Sequence, residues 1–324
     1  MALYLITGVG GFIGSSLARE LLSRGERVRG LDNFSTGKRE NLDEIVARID
    51  LHEADITDLE ATHKACLGVD FVLHHAAIPS VPKSVLDPLG SNRANVDGTV
   101  NVLIAARDAK VKRVVYAASS SAYGDTPTLP KHEAMKPDPI SPYAVAKLAS
   151  EQYMISFYRC YGLETVCLRY FNIFGPRQDP SSPYSGVLAK FITQMLGGEQ
   201  PTIDGDGEQS RDFTYIDNAV HANLLACLAP ASKAAGQVFN VATGHRVTLN
   251  ETFRSLQTLT SYRGQPNYGP ERDGDIKHSL ADISKAEAGL GYRIKVDFDE
   301  GLRRTVEWYR RMLELKPDVA SVRD

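Results

Sequence analysis

The sequence predicts a doubly wound parallel α/β sheet joined to a smaller mixed α/β lobe. Two observations carry this prediction. In the first half of the chain, short β-branched or apolar runs alternate with longer stretches whose apolar residues recur every three or four positions, the pattern of βαβ units. The chain also opens MALYLITGVGGFIG, a strand that runs into a glycine-spaced turn and at once into a helical pattern.

Each element follows from its local residues. Strands are predicted over 3–7, 27–32, 50–54, 71–75, 113–118 and 164–170, and helices over 12–23, 59–66, 92–109 and 142–161. Pro142 suits a first helical turn, whose N–H has no partner to lose, and Ser141 stands where a capping hydroxyl belongs. After Asn172 the pattern loosens into IFGPRQDPSSPYSG and IDGDGEQSRDF, glycine- and proline-rich stretches between single helices. The expected division is a first domain over 1–171 with a returning segment near 214–240, and a second lobe from 172–213 and 241–324.

Composition excludes several classes. With 37 lysines and arginines against 40 acidic residues, the net charge of −3 argues against a nucleic-acid surface. Cys66, Cys160, Cys167 and Cys227 are widely spaced with no CxxC pair, so neither a zinc centre nor a disulfide framework is expected. Strand-like sequence begins at Ala2, leaving no basic leader, and no stretch reaches the roughly 18 apolar residues of a membrane span. The expectation is a cytoplasmic protein without metal, membrane or nucleic-acid partner.

The glycines carry the first chemistry. Gly8, Gly11 and Gly14 allow a tight turn, bring backbone N–H groups close to a pyrophosphate, and let the strand pack against the helix whose amino terminus favours the anion. Asp32 ends the second predicted strand, where a carboxylate accepts from both ribose hydroxyls and repels a 2′-phosphate, favouring NAD over NADP. Lys38 and Arg39 stand nearby and pull the other way. Asp55 reads equally as a partner for the adenine edge or as a capping aspartate.

Tyr143 and Lys147 lie one helical turn apart, so they share a face. A phenol titrates near pH 10 and is a poor base at neutrality, and an adjacent ammonium would favour the phenolate. Ser119, at the end of the fifth strand, could share a short hydrogen bond with Tyr143 and a reacting hydroxyl.

Together TGVGGFIG, DNFSTG, HHAA, NVDGT, SSSAYG, YAVAK and LRYFNIFGPRQDP resemble the extended short-chain dehydrogenase/reductase superfamily, and within it the nucleotide-sugar 4-epimerases. The resemblance covers about residues 2–311. AASSSAYGD, RQDP and GDGEQSRDF are most similar to the bacterial UDP-N-acetylglucosamine 4-epimerases of surface-polysaccharide pathways. It implies a Rossmann-type NAD domain with a smaller UDP-sugar lobe, and a homodimer joined by the helices containing 92–109 and 142–161. It implies Tyr143 as catalytic base, Lys147 as ligand of the nicotinamide ribose and Ser119 as the catalytic hydroxyl. Phe12, Ile13, Asn33, Ser35, Thr36, Gly37, Asp55, Ile56, Ala76, Ala77, Asn95 and Tyr170 fall at its NAD-binding positions. Ser80 and Ser119, Ser120 and Ser121 match positions facing the sugar. Asn172, Arg211, Arg272 and Asp275 match those that hold UDP, the two arginines on its diphosphate.

Such an enzyme inverts carbon 4 by oxidation to a 4-keto sugar and re-reduction, with no net redox change. Related dehydratases carry an Asp-Glu pair where this chain has Ser120 and Ser121. Ser279 matches a position where a bulky tyrosine restricts substrates to plain hexoses; a small residue admits a 2-acetamido group. The expected reaction interconverts UDP-N-acetylglucosamine and UDP-N-acetylgalactosamine, with UDP-glucose and UDP-galactose also turned over. UDP-glucuronate epimerisation or decarboxylation is the alternative, and an NAD-binding sensor the non-enzymatic one, against which the intact Tyr143 and Lys147 pair argues. His74 and His75 read as structural or cofactor-lining, and Leu302, Val306 and Tyr309 as the inner face of a last amphipathic helix.

Overall fold

Strand β1 (Leu3–Thr7) shows how the layers arise. Leu3 and Leu5 enter one hydrophobic core while Tyr4 and Ile6 enter another, because successive side chains leave opposite faces of a strand. A strand buried on both faces must be apolar throughout, which is why it reads as a continuous run. The computed structural model describes residues 1–180, 186–271 and 277–314.

The chain continues through α1 (Phe12–Ser23), β2 (Arg27–Asp32), β3 (Asp50–Glu53), α2 (Leu59–Cys66), β4 (Phe71–His74), α3 (Val81–Leu86), α4 (Pro88–Asn92), α5 (Gly98–Asp108), β5 (Arg113–Ser119), α6 (Pro142–Tyr161) and β6 (Glu164–Tyr170). Strands 50–54 and 71–75 thus end one residue early, and 113–118 gains Ser119. The predicted helix 92–109 opens with a π-helical turn, Arg93–Asp97, before α5. Helix α6 has its expected bounds. Ser141 accepts from the Ala144 N–H at its start, and Gly162, at φ 70°, ends it in a left-handed conformation.

Beyond Asn172 come β7 (Ile173–Phe174), α7 (Val187–Leu196), β8 (Thr202–Asp204), β9 (Ser210–Arg211), β10 (Thr214–Tyr215), α8 (Ile216–Leu228), α9 (Ala231–Ala234), β11 (Gln237–Val241), β12 (Val247–Thr248), α10 (Leu249–Thr260), β13 (Asn267–Gly269), α11 (Ser284–Leu290) and α12 (Phe298–Glu314). The large sheet has the order β3-β2-β1-β4-β5-β6-β11, and every pair in it is parallel. One core holds Leu17 and Leu21 of α1 with Ala219 and Val220 of α8; the other holds Val102 and Leu103 of α5 with Met154 and Phe157 of α6. The remaining strands pair only in twos: β7 with β10, β8 with β13, and β9 with β12. Leu302, Val306 and Tyr309 of α12 are buried. Among the described residues no helix is long and apolar enough to cross a membrane, and no cluster of three metal-ligating side chains occurs.

Candidate active site

The carboxyl edge of the large sheet is built around the turn after β1. Gly8 has φ +73°, and a Cβ on it would lie 2.7 Å from the Ala76 nitrogen; one on Gly14 would lie 2.1 Å from the Gly8 carbonyl. Neither position tolerates a side chain. Gly11 precedes α1 as its cap, with Phe12 and Ile13 half-buried in the first turn. Sequence reasoning missed Gly10, which is the hub here. Its N–H donates to Asp32 Oδ2 at 2.8 Å, and its carbonyl accepts from Lys38 N and Asn41 Nδ2, each at 2.9 Å.

Asp32 is buried at the end of β2 and takes a second backbone N–H, from Phe34, at 2.7 Å. Burial raises its pKa while the two N–H bonds oppose the shift. It is therefore a turn-former, and each oxygen keeps a lone pair for a ribose hydroxyl. Asn33 donates to Asp55 at 2.6 Å and accepts from Ser35. Asp55 also accepts from both N–H and hydroxyl of Thr57, so it orders its own turn, and the cap of α2 is Asp58. Ile56 is buried, Thr36 exposed and Gly37 packed on Gly10. The two nearby cations are taken up by carboxylates, Lys38 by Asp179 at 2.8 Å and Arg39 by Glu53 at 2.5 Å.

The proposed catalytic groups converge at the end of β5. Ser119 Oγ accepts from the N–H and the hydroxyl of Ser121, at 3.1 and 2.8 Å. With both lone pairs used, its own hydrogen is left over, and the nearness of this hydroxyl to Tyr143 favours the phenolate. Ser120 is half-buried beside them. Lys147 is buried; its Nζ donates to the Ala117 carbonyl at 2.9 Å and lies 4.8 Å from the centre of the Tyr116 ring. No carboxylate pairs with it among the described residues, and desolvation pulls its pKa down to about 7. One expectation is corrected. Burial raises the Tyr143 pKa, and it is the Ser119 hydroxyl that opposes the rise; the Lys147 side chain is turned to the Ala117 carbonyl instead.

Other predicted residues turn out to build the wall. Ser80 is buried and caps α3, accepting from Lys83 N at 3.1 Å, which leaves its hydrogen and one lone pair. Asn95 spends its amide on the backbone of Ile78 and so shapes the loop carrying Ala76 and Ala77. Ala76 donates its N–H to Thr7 Oγ1. His74 is fully buried between Thr7 at 2.7 Å and Thr99 at 2.9 Å, and desolvation holds it neutral. Tyr170 accepts from Asn223 at 2.6 Å and meets His75 Nε2 at 3.0 Å, a chain that fixes the ring. The N–H of Tyr143 is received by the buried Ser84 hydroxyl at 3.0 Å. Thr7 and Thr99 lie within the TGVGGFIG and NVDGT motifs without being singled out there, whereas Ser84 and Asn223 had no sequence signal beyond being polar.

The edge fits NAD on three counts: a backbone cradle that any Cβ would fill, a buried aspartate closing β2, and a buried lysine without a counter-ion among the described residues. The glycine turn would hold the pyrophosphate, Asp32 the adenosine ribose and Lys147 the nicotinamide ribose.

A second cleft of about 230 Å³ opens among the short strand pairs, lined by Asn172, Thr202, Asp204, Gln209 and Arg211. Arg211 on β9 donates to the carbonyls of Ser210 and Lys277. Asn172 sits at φ 38°, its amide on the Asp212 carbonyl at 3.1 Å. Ser279, half-buried, donates its N–H to Ser210 at 3.0 Å, which sets it beside β9. Asp212 organises all of this: its fully buried carboxylate accepts from Thr243 N and Oγ1, Gly244 N and Ala281 N. Arg272 and Asp275 lie outside the described residues.

A profile of the NAD dependent epimerase/dehydratase family matches residues 4–242. Over 314 residues, 94% of this chain and 98% of the relative, the protein is 38% identical to the UDP-glucose 4-epimerase of Mycolicibacterium smegmatis. It resembles the crystal structure of UDP-glucose 4-epimerase with UDP-glucose from Thermotoga maritima at 39% identity and a TM-score of 0.91, covering 96% of this chain and 99% of that one. The UDP-N-acetylglucosamine 4-epimerase from Methanobrevibacter ruminantium M1, in complex with UDP-N-acetylmuramic acid, aligns at 40% identity and a TM-score of 0.90, with coverage of 96% and 99%. On a profile spanning well over half of its length and relatives matched nearly end to end, the chain belongs to the NAD dependent epimerase/dehydratase family and is an enzyme whose cofactor is NAD.

Proposed function

We propose that the protein is a UDP-sugar 4-epimerase that interconverts UDP-N-acetylglucosamine and UDP-N-acetylgalactosamine and also turns over the plain hexose pair. The observation that carries the reaction class is the Ser119 hydroxyl, whose lone pairs are both filled so that its hydrogen is left over, close to a half-buried Tyr143. Against the burial that raises the Tyr143 pKa, this hydroxyl works toward the form of Tyr143 that takes a proton. Tyr143 removes the proton of the sugar 4-hydroxyl as a 4-keto sugar forms, and returns it after the sugar has turned about its diphosphate linkage. NAD held by the glycine turn, Asp32 and Lys147 would supply the hydride chemistry at carbon 4. Ser120 and Ser121 offer neither an acid nor a base for eliminating water, which favours epimerisation over dehydration. Arg211 anchors the diphosphate, so the sugar itself is held by small groups and is free to turn.

The acetylated sugars are supported by Ser279, a small residue set beside the arginine strand, and by the similarity to an epimerase seen with an N-acetylated ligand. In this reading 1–171 with 214–240 holds NAD, and 172–213 with 241–324 holds the UDP-sugar. Two copies pair through the helices containing 92–109 and 142–161; exposed Val145, Tyr153 and Tyr161 on α6 support that pairing. A reducing, cytoplasmic setting accords with Cys66, Cys167 and Cys227 as buried free thiols. The test is to incubate NAD-loaded protein with acetylated, plain and carboxylated UDP-sugars, without reductant, and resolve the products by proton NMR. Conversion of both acetylated sugars to one equilibrium mixture is expected. No conversion of any of them overturns the proposal, and conversion confined to UDP-glucuronate replaces its substrate.

A further inference from the structure

The stretch that follows β7, residues 175–180, ties the short strand pairs back to the rim of the glycine turn. The Arg177 Nη2 donates to Ser16 Oγ on α1 at 3.3 Å, from a backbone held at φ 70°. Two residues later Asp179 meets Lys38 at 2.8 Å. Between them the Gln178 carbonyl accepts from the Tyr309 hydroxyl of α12, and the rest of Gln178 lines the second cleft. Lys38 is itself fixed to the cradle, its N–H donating to the Gly10 carbonyl at 2.9 Å. Gly37, just before it, packs so closely that a Cβ there would lie 2.9 Å from Gly10 C. Lys38 and Asp179 therefore join the wall of the NAD groove to a segment anchored on the sugar side.

We propose that Lys38 and Asp179 form a latch across the cofactor groove that slows the departure of NAD, acting as positioning residues. The proposal rests on the reading of this edge as the NAD site. A reaction with no net redox change needs the same NAD for both hydride transfers, so anything that delays its release between them serves turnover. An ion pair within one wall cannot do this. A pair that bridges the two sides of the groove must break when they part, and its attraction then opposes opening. The pair is part-exposed, so its effect is a modest factor, about two- to fivefold, and falls as salt screens it.

The experiment reads NAD release from the loaded enzyme, trapping free NAD as NADH with excess alcohol dehydrogenase and ethanol and following its absorbance. Lys38→Met and Asp179→Asn are each expected to release NAD about two- to fivefold faster than wild type. The exchanged pair, Lys38→Asp with Asp179→Lys, is expected to fall back toward the wild-type rate, and high salt to bring wild type to the rate of the single variants. Glu53→Gln, which breaks a pair lying wholly on one wall, is expected to leave release unchanged. Unchanged release in both single variants, an exchanged pair no slower than either, or an equal acceleration by Glu53→Gln overturns the latch. Because no sugar is present, a wrong substrate assignment leaves the measurement intact.

Discussion

The carboxyl edge of the large sheet and the cleft among the short strand pairs handle charge in opposite ways. At the sheet edge the titratable groups are dehydrated and few: Lys147 is buried against a carbonyl, His74 is held neutral, and Tyr143 answers to one serine. In the cleft a cation is presented by Arg211 on a two-residue strand, steadied by the backbone carbonyls of Ser210 and Lys277. Proton transfer needs groups whose pKa values are set by a fixed, dry surrounding, and parallel strands buried on both faces provide one. Holding a diphosphate needs only directed cations, which short strands can present.

Three substitutions press on this contrast. The largest effect is expected for Tyr143→Phe, which removes the proton carrier but not the ring: turnover should fall about 10²- to 10⁴-fold with NAD still bound. Retained turnover in that variant would dissolve the distinction between the two regions. Beside β9, Ser279→Tyr should cost acetylated sugars about tenfold or more in kcat/KM relative to plain ones. An equal loss on both would show that Ser279 does not gauge size. The smallest effect concerns stability. The Lys147 pKa is lowered from 10.5 to about 7 on folding, so the unfolded chain binds that proton more tightly, and wild-type stability should rise as pH climbs between these values. Lys147→Met should lack this rise when urea midpoints of the NAD-free proteins are compared across that range. Parallel pH curves for the two proteins would mean that Lys147 is not desolvated.

What was legible in the sequence follows the same division. Apart from 92–109, and from α3 and α4, which were not foreseen, strand and helix bounds in the first half came within a residue, helped by apolar runs such as β1 and by Ser141, Pro142 and Gly162, which mark a helix by local chemistry. The cleft could be placed only by resemblance, since strands of two or three residues leave no periodicity to read. Contacts between distant residues were hidden altogether. Asp212 meets Thr243, His75 meets Tyr170 and Lys38 meets Asp179 only once the topology has been built. Ser80 carried a second signal: it precedes Val81 and Pro82, and a proline in the first turn marks the serine as the cap of α3.

The π-helical turn Arg93–Asp97 changes the phase of the helix that contains it. A turn with one extra residue rotates everything after it by about 100° relative to an unbroken α-helix, so the apolar rhythm before the turn cannot be continued through it. Asn95 sits at that dislocation, and its carbonyl accepts the hydroxyls of Thr99 at 2.5 Å and of Ser150 on α6 at 2.8 Å. The inserted residue thus works as a rivet between neighbouring helices. Excising one residue here would straighten the backbone yet swing the downstream stripe of Val102, Leu103 and Ala106 off the sheet, an error of rotation that no side-chain substitution along α5 would repair.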